Sequence, residues 1–440
     1  MGLRLGFAVL IAGVCVTPAG GEPAAAAAPP LPADSLAAGS TLSITALERW
    51  VLARNPDFEA LRWALAAAGE RPAMAGALMD PELEVAVGPA SFDEPGLPTA
   101  YRIGVKQMLP LAKLGPRRSA ARHAASADSA GLAAARNDLL RVTSETYIEY
   151  VRGAASLRVI RELQELIEQF RRVALSKYAA GLVGESDPLT AEVERARLEH
   201  EAITSERRRE AARARLNALL HRPWDAELPP PPSGFDAPRA VPPLADLVEH
   251  AARGRPEIAA AEARARADQA RVTLAGRQWV PDVGVMAAYD RFMMEESYRP
   301  MVGVSVTLPL YFGRIAAARR EAQAEAAGAA ALVAAARDRV ALEVQTAYLD
   351  VYNTAHEAEL VRDDELPAVR RALGAARAGY EAGRSDFLTL LNAERDLART
   401  QLEEIRVLAE HHLALAELER SVGTILPGSV RGPHGEEGTP

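Results

Sequence analysis

Few side chains here stand at spacings that do chemistry. His356-Glu357 opens like a zinc-binding H-E-x-x-H pattern but lacks its second histidine. His411 and His412 are adjacent, so on a helix they point about 100° apart, which is poor geometry for one metal ion; both are expected at the surface. Met293-Met294 are soft thioethers of the kind that suit Cu(I), but packing in a loop or interface is the simpler reading. There is no phosphate-binding loop, no G-x-G-x-x-G after a strand and no C-x-x-C pair. No catalytic residue, cofactor or metal ligand is therefore expected, and the chain does not read as an enzyme. Carboxylates do gather at two glycine-containing turns, with Glu185 and Asp187 in one and Asp386 in the other. Their first reading is helix N-capping, where a side-chain oxygen accepts from free backbone N–H groups.

The elements that carry those turns occur twice, at an offset of about 200 residues. Arg54–Phe58 (RNPDF) returns as Gly254–Ile258 (GRPEI), and Met108–Leu111 (MLPL) as Thr307–Leu310 (TLPL). Lys177–Glu192 returns as Gly379–Glu394. The expected organisation is a signal peptide and start of linker over 1–28, a linker over 29–43, a first repeat over 44–222, an inter-repeat linker over 223–243, a second repeat over 244–424 and a C-terminal tail over 425–440.

Composition fits long helices better than a large globular core. Aromatics make up 5% of the 440 residues, while Ala, Arg, Glu and Leu dominate the middle of each half. Net charge is −8, which argues against a nucleic-acid partner. The N-terminus has Arg4, an apolar run from Leu5 to Val16 and then small residues, the pattern of a secretory signal. Cys15 is the only cysteine, and Val14 and Ala12 do not make a lipidation motif around it, so it is expected to leave with the signal.

Each repeat begins with a short helix (Leu42–Arg54, Leu244–Arg253), interrupted before Pro56 and Pro256 because proline biases its predecessor away from helix. A second helix follows, then two strand-like segments. Leu83, Val85, Ile103, Val105, Val283, Val285, Val304 and Val306 alternate with polar or small residues such as Gly104 and Ser305. That alternation gives four strands with one apolar face, each about the length of a tilted membrane-crossing strand. Helical patterns of nearly 70 residues come next, about 100 Å of rod, with Pro367 placed to kink the second. Each rod turns back at Gly181–Gly184 or Gly383–Ser385. Two long helical hairpins therefore point one way and two β-hairpins the other.

If the apolar face meets lipid, four strands cannot close, because open edges in hydrocarbon leave backbone groups unpaired. A dimer supplies eight strands and a trimer twelve, and counting alone admits both. The long helices beneath favour the wider ring.

The ordered, doubled set of cues resembles the TolC-like outer-membrane efflux channels. The residues that carry the likeness are the strand-to-helix passages Leu109-Pro110-Leu111…Gly115 and Leu308-Pro309-Leu310…Gly313, and the turns Tyr178–Gly181 and Tyr380–Gly383. Arg54-Asn55-Pro56 and Arg215–Pro223 look closest to the heavy-metal-efflux branch. The resemblance implies a mainly α fold with a small transmembrane β part: a trimeric 12-stranded β-barrel on a periplasmic α-barrel. It implies a passive conduit in the outer membrane with a large periplasmic part. Implied partners are two further copies of the chain, outer-membrane lipid, a periplasmic adaptor and an inner-membrane pump, the RND type being one option. The eight apolar strand residues then face lipid, and Gly181, Gly184, Gly383 and Arg384 mark the adaptor-docking turns. The family's periplasmic constriction, commonly lined by aspartates, falls here at Thr389 and Asn392, neither of them acidic. The candidate gate is accordingly Asp187, Asp386, Thr389 and Asn392, with neutral contacts between copies holding it shut. The alternative reading is a periplasmic coiled-coil adaptor or scaffold, from which the tandem pair of hairpins distinguishes it.

Overall fold

The computed structural model describes residues 41–91, 99–181, 184–382 and 384–430. Cys15, the expected signal peptide, most of the expected linker after it, Gly383 and the last ten residues lie outside them. The chain runs α1 (Ile44–Arg54), α2 (Pro56–Ala75), β1 (Glu82–Val87), β2 (Tyr101–Leu109), α3 (Leu111–Ala179) and α4 (Ser186–Leu219). It continues with α5 (Leu244–Gly254), α6 (Pro256–Gly276), β3 (Asp282–Asp290), β4 (Pro300–Thr307), α7 (Phe312–Leu360), α8 (Leu366–Glu381) and α9 (Phe387–Val422).

The helix breaks have local causes. Asn55 accepts from Phe58 N at 3.0 Å and donates to the Leu219 carbonyl at 3.3 Å, so one side chain both caps α2 and ties it to α4. Its counterpart Arg255, 2% exposed, meets the same position with charge, donating to Glu257 at 2.8 Å and to Glu343 at 3.0 Å. The second rod is interrupted at Pro367 by one turn of π-helix, Val361–Glu365, rather than by an open kink. Proline has no N–H and its ring crowds the carbonyl four residues back; a wider turn relieves both.

The four strands form one antiparallel sheet in the order β1-β2-β3-β4, so β1 and β4 are open edges. Val85 faces Ile103, Leu83 faces Val105, Val285 faces Val304 and Val283 faces Val306. All eight share one face. The opposite face carries small and polar side chains, Met108, Met286 and Met301, and two ion pairs. Arg102 donates to Asp290 at 2.6 Å, and Lys113, in the first turn of α3, donates to Asp282 at 2.7 Å. Gly104 is tighter than its size suggests: a Cβ there would lie 3.0 Å from that of Ala288. No helix among the described residues is long and apolar enough to cross a membrane.

The packing repeats with the sequence. In the first half α1 packs on Tyr147, Ile148 and Val151 of α3 and on Leu216 of α4. In the second, Leu247 and Ala251 of α5 pack on Val344, Ala347 and Val351 of α7 and on Leu415 and Leu418 of α9. A third cluster, at the turn end, joins Leu163 and Ile167 of α3 to Phe387 and Leu391 of α9, so the two hairpins bind each other there.

The structure corrects the expected exposure of His411 and His412, which are 1% and 2% exposed. His411 lies one helical turn from both Val407 and Leu415, on the stripe of α9 that faces the core. His411 Nδ1 is 3.3 Å from Thr354 Oγ1, and His412 Nε2 donates to the Asp236 carbonyl at 3.2 Å. Burial first, and His412 second, push the His411 imidazole down from 6.5 to about 4; a backbone hydrogen bond at Val351 opposes them. With its folded pKa depressed, His411 contributes stability that is complete above about pH 6.5 and lost as pH falls towards 4. Thermal midpoints measured across that window should fall, and His411→Leu, which keeps apolar volume but cannot titrate, should flatten the decline. An unchanged slope in that variant would contradict this assignment.

Candidate functional site

With no catalytic constellation, the surfaces to assess are the turn end and the sheet. At the first turn Gly181 has φ 72°, in the left-handed region where a Cβ is strained. The helix that follows starts at Ser186, with Glu185 at the cap position and no side-chain cap. Asp187 is therefore inside the first turn of α4, where it accepts from the Ser186 hydroxyl at 3.2 Å, and is not the cap. Gly184 is exposed beside it.

At the second turn Asp386 is the cap. Its carboxylate accepts from Thr389 N at 2.9 Å and from the Thr389 hydroxyl. The Thr389 hydroxyl, then its N–H, hold the Asp386 carboxyl below the usual range. Arg384 N donates to the Gly379 carbonyl at 2.8 Å, and a Cβ on Gly379 would lie 2.8 Å from Ser385 Oγ, so glycine lets the turn close. Asn392 is exposed and accepts from Arg395 at 3.3 Å. Thr389 and Asn392 thus both have partners within their own chain.

The residues that join the hairpins were not among those expected. Lys177 of α3 donates to the Tyr380 hydroxyl of α8 at 2.6 Å and lies 4.2 Å over its ring. Phe387 meets Phe170 edge-on at 5.9 Å. Glu194 of α4, 4% exposed, accepts from Arg395 of α9. Glu394 of α9, 5% exposed, accepts from Arg377 of α8 at 3.0 Å within its own hairpin. Each stands within one helical turn of a core residue, Leu198 and Leu391 respectively.

On the sheet, Leu83, Val85, Ile103, Val105, Val283, Val285, Val304 and Val306 are all exposed. Exposed aromatics flank this apolar band at both ends. Trp279 stacks on Phe312 at 5.6 Å beside Tyr311 where strands become helices, and Tyr289, Phe292 and Tyr298 occupy the far end. Met293 and Met294 lie exposed in the loop between β3 and β4.

Comparison with known proteins points the same way. Residues 247–424 match the outer membrane efflux protein family. The cobalt-zinc-cadmium resistance protein CzcC of Cupriavidus metallidurans is 25% identical over 332 residues, covering 73% of this chain and 77% of that one. The fold superposes on CusC, described in conformations accompanying folding and transmembrane channel formation, with a TM-score of 0.74, 16% identity and coverage of 87% and 92%. It superposes on the open state of the MtrE outer membrane channel of Neisseria gonorrhoeae with a TM-score of 0.73, 18% identity and coverage of 88% and 91%. The second repeat thus matches the outer membrane efflux protein family, and the fold of the described chain is the one these outer membrane channels share.

Proposed function

We propose that three copies of this chain close a 12-stranded barrel in the outer membrane above a periplasmic α-barrel, forming a passive conduit. One observation carries the reading: a sheet whose apolar face is exposed and whose two edges, β1 and β4, are both open. Water would penalise the first and hydrocarbon the second, and closure with other copies removes both penalties. The aromatic residues at either end of the band match the girdles of membrane barrels. Leu332, Leu342, Leu349 and Tyr352 leave an exposed apolar stripe on α7, as helices that pack against neighbouring copies would. The adaptor alternative has no counterpart for the second strand pair and second hairpin. A periplasmic adaptor would dock at the turns around Gly181, Gly184, Gly383 and Arg384 and link the conduit to an inner-membrane pump, for which the RND type is one option. The repeats 44–222 and 244–424 would each supply one strand pair and one hairpin. Crosslinking and native mass measurement in detergent should give three chains per particle, and planar-bilayer recordings should give a trimer-dependent conductance. A stable, water-soluble monomer would sink the proposal.

A further inference from the structure

We propose that the helix ends beneath the sheet bind the phosphate headgroups of anionic glycerophospholipids in the periplasmic leaflet. This rests on the barrel reading above. Six arginines, Arg117, Arg118, Arg277, Arg314, Arg319 and Arg320, lie within the first turns of α3 and α7 and just after α6. All six are exposed, and none has a carboxylate within 4.0 Å among the described residues. Further down the first hairpin the pattern is mixed, and Arg122, Arg136 and Arg172 also lack a carboxylate within 4.0 Å among the described residues. Arg158, Arg161, Arg171, Arg195 and Arg197 each have a glutamate in reach. The six thus form a group of cations without acidic partners at the helix ends beneath the sheet.

That level is set by the sheet. Arg314 is two residues into α7, and Arg117 about 10 Å down α3 at 1.5 Å per residue. The headgroup layer is about 5–8 Å deep on each side of the hydrocarbon. An arginine stem bridges the difference by running along apolar surface with its head in the polar layer. Arg117 and Arg314 line one open cleft of about 380 Å³ with Lys113, Gln278, Leu310 and Tyr311. Lys113 is already held by Asp282, leaving the two guanidiniums free to grip a phosphate bidentately. Leu310 and Tyr311, 66% and 77% exposed, offer the apolar rim against which the first carbons of an acyl chain would rest.

The test uses the full chain purified in detergent, with phosphatidylglycerol, phosphatidylcholine and inorganic phosphate as separate probes. Retained lipid is counted by native mass spectrometry, and vesicle flotation is followed on the same samples. Wild type should retain phosphatidylglycerol in preference to phosphatidylcholine. Each cation near an anionic lipid surface contributes roughly fivefold, so Arg117→Gln with Arg314→Gln should weaken that preference about 30-fold. Arg117→Lys with Arg314→Lys keeps the charge and should keep most of it. Equal retention of both lipids by wild type, an undiminished preference in the glutamine variant, or displacement of phosphatidylglycerol by millimolar phosphate would each overturn the site. If wild type forms trimers and floats with vesicles but shows no lipid preference, this proposal alone falls. If it neither trimerises nor floats, the barrel reading falls with it.

Discussion

Val285→Arg and Val304→Arg are each expected to cost the assembled barrel about 2–4 kcal/mol, and the two together should abolish assembly. The two residues face one another on neighbouring strands, near the middle of the exposed apolar band. Under the barrel reading, an arginine at either place would set its guanidinium in hydrocarbon, several residues from both rims. Ser305→Arg, one residue along β4, turns the same group to the opposite face, where Asp282 and Asp290 already carry charge, and should assemble nearly as wild type. The contrast between neighbours separates lipid exposure from any general intolerance of the strand to arginine. Gly104 is a poor control for that face, because Ala288 stands where its side chain would begin. Trimer yield after refolding into detergent, measured for the three variants in parallel, decides the matter. Equal loss at Val304 and Ser305 would show that β4 does not have one lipid face and one aqueous face.

Much of this was legible in the sequence because period and environment coincide. The strands alternate, with one face mostly apolar and the other mostly small or polar, and the boundaries of β2 follow directly from that alternation. The long rods were legible for the same reason, and Pro367 marked the place of the break, although proline alone does not say that a π turn will absorb it. The buried charges were not legible. Glu194 and Glu394 sit in helices so rich in Arg and Glu that any one glutamate reads as solvated. Their burial comes from the other hairpin and the preceding helix, which supply Arg395 and Arg377. The histidines failed differently: the spacing Val407, His411, Leu415 carried the signal, and polarity overrode it. Asp386 was read correctly as a cap, and the cap geometry also engages Thr389, one of the residues the family resemblance had marked for the gate.

The contact between hairpins leads to the second large effect. Glu194 is held in α4 with its side chain 6% exposed, and Arg395 of α9, itself 29% exposed, is its cationic partner across the two halves. Asn392 accepts from the other arm of the same guanidinium, so a residue of the expected constriction steers the arginine that binds the first hairpin. Removing Arg395 leaves a carboxylate among apolar neighbours with no compensating charge. Breaking one side of such a buried pair costs about 3–5 kcal/mol, and the lower end applies because Arg395 is partly wetted. Replacing both partners with apolar groups of similar size is often close to neutral. Arg395→Ala should therefore destabilise the turn end by about 3 kcal/mol, while Glu194→Leu with Arg395→Met should restore most of it. Local hydrogen exchange in α4 and α9 gives the first readout. Under the conduit reading, looser hairpins at the narrow end should also raise single-channel conductance in Arg395→Ala and return it towards wild type in the double variant. The assignment predicts that stability and conductance move together and in opposite directions. Exchange and conductance unchanged in Arg395→Ala would mean that the turn end is held by Lys177, Tyr380 and the Phe170–Phe387 contact instead, and that the ion pair across the halves is incidental.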